Sequence, residues 1–252
     1  LCCINTQLRK KKIFCSRTCI RKNFTVEKAK ELALQNVKDI TKMINWNKDN
    51  NISCLRLSSD MFPHFTDTET KKYTIDFAKE ELLSAGNLAN SLGHRILMYP
   101  GQYNQVGAKD KKVYEKTVED LTHHANILNS MGIDNNGIII VHGGGTYGNK
   151  EDTIRRWIEQ YDDLPKIVKD RLVIENCERQ YSVSDCIHIS DECGIPVVFD
   201  FHHHDCYCNI HKIEEKYPID VLPSIVNTWG DRKVVMHVSE QGEGRIGHHS
   251  DY

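Results

Sequence analysis

The residues able to do chemistry in this chain follow short apolar runs. Ile195-Pro196-Val197-Val198-Phe199 leads straight into Asp200-Phe201-His202-His203-His204. A run rich in β-branched and aromatic residues reads as a short strand buried on both faces, so a strand delivers a carboxylate and imidazoles at its end. Asp200 and His203, three apart, can reach one ion or two adjacent ones, and carboxylate with imidazole suits zinc, manganese or iron. The pattern recurs. Ile138 to Val141 ends in His142-Gly143-Gly144-Gly145, Leu172-Val173-Ile174 in Glu175-Asn176, and Val234-Val235-Met236 in His237, with His249 on a later loop. His142, Glu175, Asp200, His203 and His237, with His249 a further candidate, exceed the needs of one ion. Glu175 and Asp200 can each bridge two ions, which predicts a cluster of two or three. Clustered ions lower the pKa of a water and stabilise the attacking and leaving oxygens of an in-line displacement at phosphorus. Phosphodiester cleavage is therefore the leading chemistry, with Glu175, Asp200 and His237 as the catalytic candidates. A cysteine-ligated structural zinc is disfavoured, because the convergent donors are oxygen and nitrogen.

The elements that must position these residues alternate. The first helix has Thr25 as N-cap and an inward stripe of Val26, Ala29, Ala33, Val37, Ile40 and Ile44. A strand over 52–57 follows, and then a helix with Ile75, Phe77, Ala78, Leu82, Leu88, Ala89 and Leu92 inward and Gly93 at its end. The strand 95–98 empties into Tyr99-Pro100-Gly101-Gln102-Tyr103-Asn104, a turn that presents Gln102 and Tyr103 outward. Helices are predicted over 111–131, 151–164, 184–193 and 221–229; His123 and His124, inside the first of these, read as packing or surface residues. Short apolar strands alternating with amphipathic helices predict βαβ units and a parallel sheet. With Leu1 to Ile4 counted, seven strands are expected, and in a (β/α)8 TIM barrel their C-terminal ends converge on one face. No eighth strand precedes Tyr252 and the chain starts at Leu1, so the expectation is one barrel domain over 1–252, truncated before the last strand and helix.

Composition narrows the class. With 252 residues, 39% hydrophobic and 27% charged, the chain reads as a globular domain rather than a disordered one. It has no apolar run of about 20 residues and no signal-peptide pattern. Ten scattered cysteines fit reduced thiols better than a disulfide framework, which predicts an intracellular reducing compartment, nucleus or cytoplasm. Cys15 with Cys19 and Cys206 with Cys208 lack the second pair that a zinc site needs. The net charge is only −2, yet Arg9, Lys10, Lys11, Lys12, Arg17, Arg21 and Lys22 share one stretch without an acidic residue. Such a run either contacts phosphates or is a solvated loop.

An ordered set of motifs resembles the UV damage endonucleases, DNA-repair nucleases built on a TIM barrel and related to the endonuclease IV type. It comprises Cys3-Ile4-Asn5-Thr6, Arg56-Leu57-Ser58-Ser59, Pro100-Gly101-Gln102-Tyr103-Asn104, His142-Gly143-Gly144, Leu172 to Asn176, Phe199 to His203, His237-Val238-Ser239-Glu240 and His249 to Tyr252. The resemblance implies a trinuclear site, usually described with manganese though zinc or magnesium would also be accommodated, and incision immediately 5′ to a lesion in double-stranded DNA. It places His142, Glu175, Asp200, His203, His237, His249 and, in a more variable loop, His64 at ligand positions. Gln102 and Tyr103 match a pair that probes the duplex opposite damaged bases, and Asn5 a residue near the lesion. An aromatic and an amide on an exposed turn suit the gap left by flipped bases, and damaged duplex costs less to unstack. Arg9 to Lys12 become candidate phosphate contacts. Nothing in the sequence calls for more than a monomer or for a membrane.

This chain departs from the family pattern at Tyr99, where a histidine is usual, and at Val235, where a lysine is usual. It also does not reach the family's glutamate on the last strand. Two other readings stand beside the endonuclease: a sugar isomerase of the xylose isomerase type on the same scaffold, and a non-catalytic relative that binds damaged DNA.

Overall fold

The computed structural model describes residues 4–214 and 220–250. Its chain packs into two compact units, Leu1–Gly101 with Glu119–Ile139 and Gln102–Val118 with Ile140–Tyr252.

In the first unit, Asn5 caps a short helix, α1 (Thr6–Lys10), by accepting the Leu8 N–H at 3.1 Å. Thr25 caps α2 (Val26–Asp49) through the Lys28 N–H, and Ala29, Ala33, Val37, Ile40, Met43 and Ile44 form its buried face. Val26, expected in that stripe, is only half-buried. Strand β1 (Cys54–Ser58), helix α3 (Lys79–Ser91) and strand β2 (Arg95–Tyr99) follow. Ile75 and Phe77 precede α3 rather than lying in it, because a separate turn spans Asp76–Ala78. β1 and β2 are parallel, with partners from Cys54↔Arg95 to Ser58↔Tyr99. Helix α4 (Lys111–Ser130) leads to β3 (Ile138–His142), whose first residues pair in parallel with β2 through Leu97↔Ile138 and Met98↔Ile139. His123 and His124 are buried core residues. The His123 ring stacks on Phe65 at 3.7 Å between centroids, and burial pushes its pKa far below the usual histidine value, so it packs as a neutral ring.

The second unit continues with α5 (Lys150–Asp162), the single turn α6 (Lys166–Lys169), β4 (Leu172–Glu175), α7 (Val183–Cys193), β5 (Val197–Asp200), α8 (Phe201–His211), α9 (Leu222–Asn227) and β6 (Met236–His237). Ser182 and Asp185 form a reciprocal capping box at the start of α7, which satisfies two otherwise orphaned N–H groups. β4, β5 and β6 are parallel and adjacent in chain order, with Glu175↔Val198 and Asp200↔His237 in register. Every residue of β4 and β5 is buried, as expected for strands covered on both faces. Strand–helix alternation with parallel neighbours in chain order is the barrel pattern read from the sequence.

Leu1 to Cys3, counted with Ile4 as a strand, lie outside the described residues, and α1 begins at Thr6. The stretch after Asp200, assigned no element from the sequence alone, is helix α8. It carries no clear amphipathic stripe, because His202, His203, His204, Cys206 and Tyr207 are all buried and cover most of its circumference. Among the described residues no disulfide is formed, and no helix is long and apolar enough to cross a membrane.

Candidate metal centre

The second unit gathers five of the residues singled out above. β4 ends in Glu175 and β5 in Asp200, one strand over, while the register places His237 of β6 directly beside Asp200. The side chains form two overlapping groups: His142, Glu175 and His203, and Glu175, Asp200 and His237, with potential ligand atoms inside each group within 4.8 Å of one another. Glu175 belongs to both. Its Oε1 lies 2.7 Å from His237 Nδ1 and 3.7 Å from His203 Nδ1. Asp200 Oδ2 stands 3.6 Å from His237 Nδ1 and 3.7 Å from His203 Nδ1. The rings of His142 and His203 are 5.3 Å apart.

Local structure fixes these side chains. Asp200 is the N-cap of α8, its Oδ1 accepting the His203 N–H at 2.9 Å, which orients Oδ2 into the cluster. Its main chain is gripped by Asn176: the Asp200 N–H donates to Asn176 Oδ1 at 2.8 Å, and Asn176 Nδ2 donates to the Asp200 carbonyl at 3.0 Å. His203 Nδ1 faces the Asn176 carbonyl at 3.1 Å, a contact that orients the ring. Asn176 was legible only as the residue after Glu175; its double grip on Asp200 depends on strand pairing, which residue type does not reveal.

The electrostatics suit cations. Burial of Glu175 would raise its pKa, but the charges of His142 and His237 outweigh it and hold the carboxyl at about 2. Burial would lower that of His237, yet Glu175 and Asp200 push it up to about 9. A fully buried carboxylate needs compensating positive charge, here supplied by imidazoles, a side-chain type that also ligates metals. Buried oxygen and nitrogen donors converging around a shared carboxylate fit divalent ions.

The other candidates fall differently. His249 is exposed; its ring lies 5.6 Å from that of His203 and 5.0 Å from that of His202, and its Nδ1 is 2.8 Å from Ser239 Oγ. His202 and His204 are both buried. In the first unit, both ring nitrogens of His64 face acceptors: Nε2 is 2.6 Å from the Cys19 carbonyl and Nδ1 is 3.2 Å from Asp67 Oδ2. Tyr99, at the position of the family's histidine, has the Arg56 guanidinium 4.5 Å from its ring centre.

Gln102 and Tyr103 are exposed, Tyr103 at 62%. Asn5 is buried as the cap of α1. Arg9, Lys10, Lys11 and Lys12 are exposed, but the basic stretch is not wholly available. Arg17 is paired with Asp39 at 2.6 Å, and Arg21 bonds Asp67 and Glu69.

Comparison with known proteins follows the same lines. The family model described as UV-endonuclease UvdE matches residues 1–252. The UV-damage endonuclease of Schizosaccharomyces pombe is 36% identical over 96% of this chain, which spans 42% of that relative's length. The crystal structure of SacUVDE aligns with a TM-score of 0.88 and 30% identity, covering 96% of this chain and 81% of the other. Endonuclease IV from Thermus thermophilus aligns with a TM-score of 0.56 at 14% identity, over 84% and 77% of the two chains, which shows a shared TIM-barrel fold and no more. The strand-end residues thus sit in a frame shared with SacUVDE across nearly the whole chain, and the chain belongs to the UV-endonuclease UvdE family.

Proposed function

We propose that this chain is a metal-dependent DNA-repair endonuclease that incises the backbone of damaged duplex DNA immediately 5′ to UV photoproducts and related lesions. The observation that carries the reading is Glu175, a fully buried carboxylate shared by two ligand groups. The names of its relatives, UV-damage endonucleases, supply the substrate class. The proposed ligands are His142, Glu175, Asp200, His203, His237 and His249, with His64 in a more variable loop as a seventh, for two or three ions with manganese favoured. When bound, such ions activate water and neutralise the phosphate oxygens of an in-line displacement.

The residues of the chain do the rest. Glu175 stays ionised and, with Asp200, supplies the oxygen donors that would hold divalent cations. Asn176 and the α8 cap fix Asp200. His237 carries a proton on Nδ1 toward Glu175 that must leave before both can act as ligands. Gln102 and Tyr103 enter the distorted duplex, while Arg9 to Lys12 contact phosphates without regard to sequence. The stretch 1–252 is read as one barrel domain acting as an intracellular monomer.

The test is a nicking assay with manganese-loaded protein and a duplex carrying one pyrimidine dimer. A nick directly 5′ to the dimer, abolished by Glu175→Gln, is the expected result. Binding without a nick would show instead a non-catalytic relative, for which the replacements at Tyr99 and Val235 would be the first suspects.

A further inference from the structure

Tyr147 lies in the loop after β3, five residues beyond His142, in a left-handed backbone conformation with φ of 49°. A bulky residue held there carries strain that its surroundings must offset. Two contacts do so. Its hydroxyl donates to Gln105 Oε1, and the Arg156 guanidinium lies 5.5 Å from the ring centre. The ring nevertheless remains 45% exposed, so burial does not explain the conformation.

The acceptor is placed to matter. Gln105 lies two residues beyond Tyr103, in the segment that leaves the Gln102-Tyr103 turn. Its Oε1 also accepts the Gly145 N–H at 3.3 Å, and its own N–H donates to Thr117 Oγ1 on α4 at 3.0 Å. The glycines of the loop are shaped around this side chain. Gly144 has φ of 91°, and a Cβ there would stand 3.2 Å from Gln105 Cγ; one at Gly145 would stand 3.3 Å from Gln105 Oε1. Gly143 is needed for another reason, since a Cβ there would lie 2.4 Å from the buried Tyr181 ring. The glycine run after His142 therefore receives protein side chains.

We propose that Tyr147 and Gln105 form a clamp that positions the Gln102-Tyr103 turn against the loop leaving His142, and so sets discrimination between damaged and intact duplex. Tyr147 is a positioning residue, acting through Gln105 on the turn rather than on the phosphate. The role in discrimination rests on the proposed function; the clamp itself does not.

Two measurements on the full chain separate these layers. The first needs no DNA: amide hydrogen exchange of residues 101–108. Tyr147→Phe and Gln105→Leu should each speed exchange there by about fivefold, the worth of one ordinary hydrogen bond. Gln105→Glu, which still presents acceptors to Tyr147 and Gly145, should keep wild-type protection. Unchanged exchange in both Tyr147→Phe and Gln105→Leu overturns the clamp, whatever the enzyme does. The second is the ratio of affinities for dimer-containing and intact duplex, read beside manganese content. Tyr147→Phe should lower that ratio about fivefold with metal content unchanged, and the double variant with Gln105→Leu should lose little more, because one contact is removed twice. Additive losses, or an unaltered ratio in a wild type that does discriminate, refute the link to recognition. A wild type that neither incises nor discriminates would refute the proposed function and this link together, leaving the clamp to stand or fall on exchange.

Discussion

His237 Nδ1 lies 2.7 Å from Glu175 Oε1, a contact between residues 62 apart in sequence. Each holds the other charged. The His237 pKa rises from 6.5 to about 9, and that of Glu175 falls from 4.5 to about 2.

Stability of the metal-free protein should follow this pair. The raised His237 contributes stability that is complete below pH 6.5 and lost as pH rises through about 9; the depressed Glu175 contributes stability that is complete above pH 4.5 and lost as pH falls through about 2. Both contributions are full between those inner limits. Calorimetric melts in chelator should show a loss of the order of 2 kcal/mol between pH 6.5 and 9.5, with a flatter profile in His237→Gln. Manganese binding at pH 7.5 should release about one proton from this site, read as a dependence of the binding enthalpy on buffer.

Asn176→Leu removes both hydrogen bonds to the main chain of Asp200 while nearly keeping the volume. Loss of such an orienting contact costs about 10- to 100-fold in metal affinity. A manganese titration of the folded variant checks this; wild-type affinity would mean that Asp200 is held by its α8 cap alone.

Tyr103→Ala should leave thermal stability within about 0.5 kcal/mol, because the side chain is mostly solvent-exposed. Discrimination between dimer-containing and intact duplex should fall about tenfold, the scale of losing one base-stacking aromatic. Equal weakening on both duplexes, measured by equilibrium binding, would rule out a wedge.

Within the basic stretch, Arg17 and the lysines should part company. Arg17→Ala leaves the carboxylate of Asp39, only 3% exposed, without this partner, at a cost of about 3 kcal/mol in urea unfolding. Replacing Lys10, Lys11 and Lys12 together by alanine should leave unfolding unchanged. Binding to any duplex should weaken, and the slope of log affinity against log salt should shrink by up to about 3.

The sequence by itself determined the alternation of strands and helices, because burial writes its period directly into residue type: continuous apolar runs for β3, β4 and β5, and a stripe at three and four residues for α2. It also determined which side chains end those strands, and so the donor chemistry of His142, Glu175, Asp200 and His237. Helix α8 escaped because it is buried around most of its circumference and therefore shows little stripe. Tertiary structure alone decided which partners each group meets. Parallel register set His237 beside Asp200, the Asp67 carboxylate and Cys19 carbonyl claimed both nitrogens of His64, and Asp39 claimed Arg17 out of an apparently free basic run. Hydrogen bonds and ion pairs between residues tens of positions apart leave no period in the chain, so the same histidine or arginine reads alike whether it faces a metal, a phosphate or another side chain until the strands are paired.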